Sequence, residues 1–141
     1  MIVVGFDGSD ASHPALEFAL EEARLRGAPL RIVTAWEVPA IEYVGAAVVP
    51  TPDLAEEAEH RAREAIDEAL AEIGAHDGVE IETVVVPGHA PDVLVEQARD
   101  AALLVVGSRG HGTLAGLVLG SVSHAVAHRS TRPVVIVPHP H

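Results

Sequence analysis

The chain has 141 residues, a length that suits one domain around a single core over residues 1–141, and its formal net charge is −12. That charge repels phosphate backbones and anionic lipid surfaces, so neither nucleic acid nor membrane is an expected partner. There is no cysteine, and all nine basic residues are arginine. Disulfides, thiolate metal sites, cysteine or lysine nucleophiles, a Walker A lysine and a pyridoxal Schiff base are thereby excluded together.

Hydrophobic residues make up 48% of the chain but aromatics only 3%, so Val, Ile, Leu and Ala must fill the core. The opening MIVVGFDGS reads as a strand over residues 2–6 with no secretory signal before it, and a cytoplasmic setting is expected. Residues 10–26 read as a helix with Leu16, Ala19, Leu20 and Ala23 on one stripe, and Ser9, Asp10 or Ser12 is its candidate cap. LRIVTAW, residues 30–36, is the second strand. Residues 38–50 lack a period and hold Pro39, Gly45 and Pro50, which points to a surface loop.

Thr51-Pro52-Asp53 is a helix start: a cap, a proline at the first position, then an acid in the first turn. The helix runs to about residue 73. Its apolar stripe is Leu54, Ala58, Ala62, Ala65, Ile66, Ala69, Leu70 and Ile73, with the acidic residues mainly on the opposite, solvated face. Residues 80–86 form the third strand, whose first half alternates as in a less buried position. A short helix follows over 91–99. Residues 102–106 form the fourth strand. A helix opens after Gly120, with Val122, Ala125 and Val126 inward, and residues 133–137 make the fifth strand ahead of a frayed PHPH end. Residues 110–128 carry no Asp, Glu, Lys or Arg, but four glycines and three histidines make a membrane span improbable.

Strands alternating with helices imply an α/β fold with a parallel sheet covered on both faces. Ligands in such sheets bind beyond the carboxyl ends of the strands. The fourth strand empties into GSRGHGTLAGLVLGS, residues 107–121, which holds five of the twelve glycines. The order is Gly107, two residues, Gly110, nine residues, then Gly120-Ser121. Bare backbone lets N–H groups approach phosphate oxygens, and the helix opening at Gly120 aims its free N–H groups at the same point. Arg109 is the nearby cation, and Ser121 and Ser123 are candidate hydroxyl donors. Asp7 ends the first strand, where a carboxylate can accept hydrogen bonds from ribose hydroxyls.

VVGFDGS, LRIVTAW, LLVVGSRGHG and LGSVSHAVAHRSTRPVVIVP resemble the universal stress protein family over nearly the whole chain, and the glycine spacing matches its ATP-binding branch. The resemblance implies a Rossmann-like (adenine nucleotide alpha hydrolase-like) open five-stranded parallel sheet in the order 3-2-1-4-5, and a homodimer. It implies that Gly5 and Asp7 face adenine and ribose and that Ala35 offers its backbone to adenine. Gly107, Arg109, Gly110, Gly120, Ser121 and Ser123 would hold ribose and phosphates. Phe6, Val106 and Val122 complete the candidate set. Ala101-Ala102 departs from the acidic residue frequent before the fourth strand, with no functional consequence expected.

The expected function is an ATP-binding stress-response or regulatory protein with little or no turnover, any Mg²⁺ being carried by the phosphates. His111 is the loop's one titratable candidate beside Arg109, and no catalytic or metal-ligating residue is assigned. The alternative is a weak ATPase or nucleotidyl-transfer enzyme on the same fold. A phospho-receiver would need a lysine, and a dinucleotide oxidoreductase would need G-x-G-x-x-G after the first strand, where GFDGSD stands. An apolar fifth strand at the sheet edge is expected to pair with a second copy through residues 133–137.

Overall fold

The computed structural model describes residues 1–37, 52–74, 76–108 and 120–139. The expected loop over 38–50, the Thr51 cap, and Arg109, Gly110 and His111 lie outside them.

Five strands form one all-parallel sheet: β1 (Ile2–Gly5), β2 (Leu30–Trp36), β3 (Ile81–Pro87), β4 (Leu103–Gly107) and β5 (Val134–Val137), in the order β3-β2-β1-β4-β5. The helices are α1 (His13–Arg26), α2 (Pro52–Ile73), α3 (Ala90–Gln97) and α4 (Ser121–Arg129). β1 registers Ile2 against Leu30 on one side and against Leu103 on the other. β1 and β4 are neighbours across the point where the winding reverses direction.

Because side chains alternate across a strand, the apolar runs feed two cores. Ile2, Val4, Ile32 and Val105 pack with Leu16 and Leu20 of α1 and Ile66 of α2. Val3, Val33, Leu104 and Val106 pack on the opposite face with Leu94 of α3 and Val126 of α4. Most of these side chains are fully buried, and each contributes about 1.5–3 kcal/mol relative to exposure.

Two local expectations need correction. The helix expected over 10–26 is split into a 3-10 turn, Asp10–Ser12, and α1, and neither Ser9 nor Ser12 caps through its side chain. The Ser12 hydroxyl instead donates to the Ser9 carbonyl at 2.8 Å, the local alternative that short polar side chains offer the backbone. The α2 stripe is buried only toward its C-terminal half: Ile66 and Ala69 are buried, whereas Leu54 is 40% exposed. Periodicity alone overstated the burial of the N-terminal half of α2.

Candidate functional site

A cavity of about 290 Å³ opens at the carboxyl ends of β1, β2 and β4. Gly5, Phe6 and Asp7 line it from β1, Val106 and Gly107 from β4, and Gly120 to Ser123 from the start of α4. Such a crevice at the winding reversal is where open parallel sheets bind ligands.

Close approach of α3 shapes its floor. A Cβ on Gly5 would stand 2.9 Å from Cδ1 of Leu94, so the end of β1 stays bare while α3 packs against it. The end of β1 is held by the Thr34 hydroxyl, which donates to the Phe6 carbonyl at 2.7 Å. Asp7 follows directly, and its Oδ1 accepts from the Ser9 N–H at 2.9 Å and from the Ser9 hydroxyl.

The loop that leaves β4 is clasped at its base. The Gly120 N–H donates to the Ser108 carbonyl at 2.6 Å, and the Ser108 N–H donates to the Val137 carbonyl at 2.9 Å. Ser123 is buried, and its hydroxyl is shared between the carbonyls of Ser108, at 3.2 Å, and Gly120, at 3.0 Å. It therefore ties the loop's two ends together as well as lining the cavity. Gly120 has φ −71° and ψ 166°, a conformation open to any residue, and it lines the cavity.

The helix α4 has Gly120 as its N-cap residue, with no side chain to cap the helix. Its first N–H groups, at Ser121, Val122 and Ser123, have no intrahelical partner by helix geometry and concentrate positive potential at the cavity.

Of the twelve candidate residues, the cavity gathers ten: Gly5, Phe6, Asp7, Ala35, Val106, Gly107, Gly120, Ser121, Val122 and Ser123. Arg109 and Gly110 lie outside the described residues. Sequence reasoning missed Ser12, Val33, Glu37, Ala90 and Leu94, which also line it. Glu37 was findable, standing two residues beyond Ala35 on the same strand parity. The α3 contribution needed tertiary structure. A second cavity of about 300 Å³ lies toward α2, lined by Asp7, Trp36 and Arg61 among others. Among the described residues no three His, Cys, Asp or Glu side chains are grouped to hold a metal, and no helix is long and apolar enough to cross a membrane.

Fold and cavity define a Rossmann-like parallel α/β protein with a crevice at its switch point. The model of the Universal stress protein family matches residues 1–138, and the chain belongs to that family. A universal stress protein of Mycobacterium tuberculosis is 33% identical over 150 residues, covering 97% of this chain and 47% of the relative. Another from the same organism is 37% identical over 137 residues, covering 96% and 44%. The chain thus spans about half the length of these curated relatives. A universal stress protein crystallised in complex with cAMP is 35% identical, covers 99% of this chain and 96% of its own, and superposes with a TM-score of 0.72. One from Archaeoglobus fulgidus in complex with dAMP is 28% identical, covers 96% and 95%, and gives 0.67. The universal stress protein UspA of Lactobacillus plantarum, at 20% identity with coverage of 96% and 95%, shares the fold with a TM-score of 0.80.

Proposed function

We propose that residues 1–141 form a single nucleotide-binding domain of the ATP-binding branch, acting as a stress-response or regulatory protein through its nucleotide state, with little or no turnover. The observation that carries this reading is the N-terminus of α4, whose N-cap is the bare Gly120, facing a cavity that also holds Asp7. The helix end suits phosphates, and the carboxylate suits ribose hydroxyls. The relatives solved with cAMP and dAMP support an adenine nucleotide as the ligand class. ATP is the nucleotide proposed, its Mg²⁺ arriving on the phosphates and Arg109 and Gly110 completing the cradle. No general base is assigned beside the phosphates, so any hydrolysis is slow. The setting proposed is cytoplasmic, and the assembly a homodimer through residues 133–137.

Mass spectrometry of nucleotide released from the purified protein, with calorimetry using ATP with and without Mg²⁺, tests the ligand. Binding is expected with the adenine nucleotide recovered intact. No binding up to millimolar ATP would overturn the reading. A steady-state hydrolysis rate of about one per second or faster, typical of working enzymes, would assign the protein to the enzymes instead.

A further inference from the structure

Among the described residues, both charged side chains lining the cavity between β1, β4 and α4 are acids, Asp7 and Glu37. Phosphates are repelled by a carboxylate, so these two positions face parts of the ligand that donate hydrogen bonds. Their place in the sheet separates their roles. The anion-accepting elements are the end of β4 and the start of α4; β1, with Asp7 just beyond it, is next to β4, and β2, which leads to Glu37, is next again. Two strand spacings separate β2 from β4, about 10 Å. A nucleotide with phosphates at α4 and ribose at Asp7 therefore extends its base over the end of β2.

There the residues are specified. Val33, Ala35 and Glu37 alternate onto the cavity side, so Glu37 stands beyond Ala35 at the cavity's rim. Its Oε1 lies 2.8 Å from Nδ1 of His89, the N-cap residue of α3. Facing a carboxylate oxygen, that nitrogen carries the proton and donates. The Gly88 N–H donates to the Trp36 carbonyl at 2.8 Å, fixing the two segments to each other. The pair is more than half exposed, 59% and 58%, so it adds little stability; its effect is to orient Glu37. Among the described residues no partner is recorded for Oε2.

Resting on the adenine-nucleotide reading above, we infer that Glu37, positioned by His89, selects a 6-amino purine at this site. A carboxylate only accepts hydrogen bonds. It therefore favours the exocyclic amine of adenine and opposes the carbonyl that hypoxanthine carries at the same position. A site with a fixed acceptor discriminates by leaving that group unpaired or repelled in the wrong complex.

Calorimetry with ATP and ITP on wild type, Glu37→Ala, Glu37→Gln and His89→Ala tests the inference, with thermal unfolding as the check on folding. Wild type is expected to bind ATP about tenfold more tightly than ITP, the scale of one partly exposed hydrogen bond to a charged group. Glu37→Ala should bring the two within about twofold by weakening ATP, the discriminating acceptor being gone. Glu37→Gln should do so partly by tightening ITP, because an amide also donates. His89→Ala should lower the ratio while both nucleotides still bind. A wild-type protein that binds neither nucleotide removes the adenine reading and this inference with it. One that binds ATP with an ATP-to-ITP ratio unchanged in Glu37→Ala leaves the nucleotide site standing and overturns the role of Glu37 alone.

Discussion

Two glycines on the cavity's periphery do different work, and substitutions separate them. Gly120 has an ordinary extended backbone and lines the cavity, so its contribution is room. Gly120→Val should abolish nucleotide binding in calorimetry while the far-UV circular dichroism and melting temperature stay near wild type. A variant that binds normally would remove the phosphates from this end of the cavity. Gly88 has φ +145°, and a Cβ there would meet Cγ2 of Val93 at 2.9 Å. Gly88→Ala should therefore cost about 1–3 kcal/mol of stability in urea unfolding, and it should also loosen the segment that presents His89. The sequence marked Gly120 by its spacing, and Glu37 was open to reading by strand parity beyond Ala35, but nothing in it pointed to Gly88. The φ of Gly88 and the contact between Glu37 and His89 are encoded by no local pattern. Ser123 was legible as a candidate and lines the cavity, but its hydroxyl bonds to Ser108 and Gly120 could not be read from spacing alone.

At the level of elements, the alternation of apolar runs and amphipathic stretches was enough to order the five strands and four α-helices of the described residues along the chain. The reason is physical: doubly buried parallel strands such as IVVG and LLVVG read as uninterrupted apolar runs. Element ends were less legible, since the candidate caps of α1 make no side-chain cap and the end of β1 is set by pairing with β2 and β4. The α2 stripe shows the same limit. Its 3.6-residue period is continuous, but only packing decides which turns reach the sheet. Ile66, 1% exposed, and Leu54, 40% exposed, lie on the same sequence stripe. Ile66→Ala should cost about 2–5 kcal/mol in chemical denaturation. Leu54→Ala should cost less, about 1–2 kcal/mol, because 40% of its surface stays in water in the fold. Equal losses at the two positions would mean that the N-terminal half of α2 is as buried as its sequence period implies.

At the scale of the whole molecule, the sheet's β5 edge calls for a partner. β5 reads VVIV, is the outermost strand of the sheet among the described residues with β4 on its paired side, and all four of its residues are half-buried. Val135 and Val137 pack toward one core and Val134 and Ile136 toward the other, so neither face carries a charge that would guard the edge. An apolar edge with open N–H and C=O groups pairs with whatever strand meets it. A second copy related by a two-fold axis is the closed solution. The carbonyls of Pro133 and Val137 accept from Leu104 and Ser108. Alternation along a parallel strand then turns the backbone groups of Val134 and Ile136 outward, toward a partner. Ile136→Pro removes one outward N–H without taking a donor from the β4 ladder, and proline is tolerated at edges for that reason. Light scattering at micromolar concentration should give twice the 14.7 kDa chain mass for wild type. For Ile136→Pro it should give the single-chain mass, with cooperative unfolding retained. A wild-type mass of one chain would refute the dimer. A dimeric, folded Ile136→Pro would move the interface away from β5. Because β5 lies beside β4, which feeds the glycine loop, such pairing would bring two nucleotide sites into one assembly, where the occupancy of each could be read by the same partner.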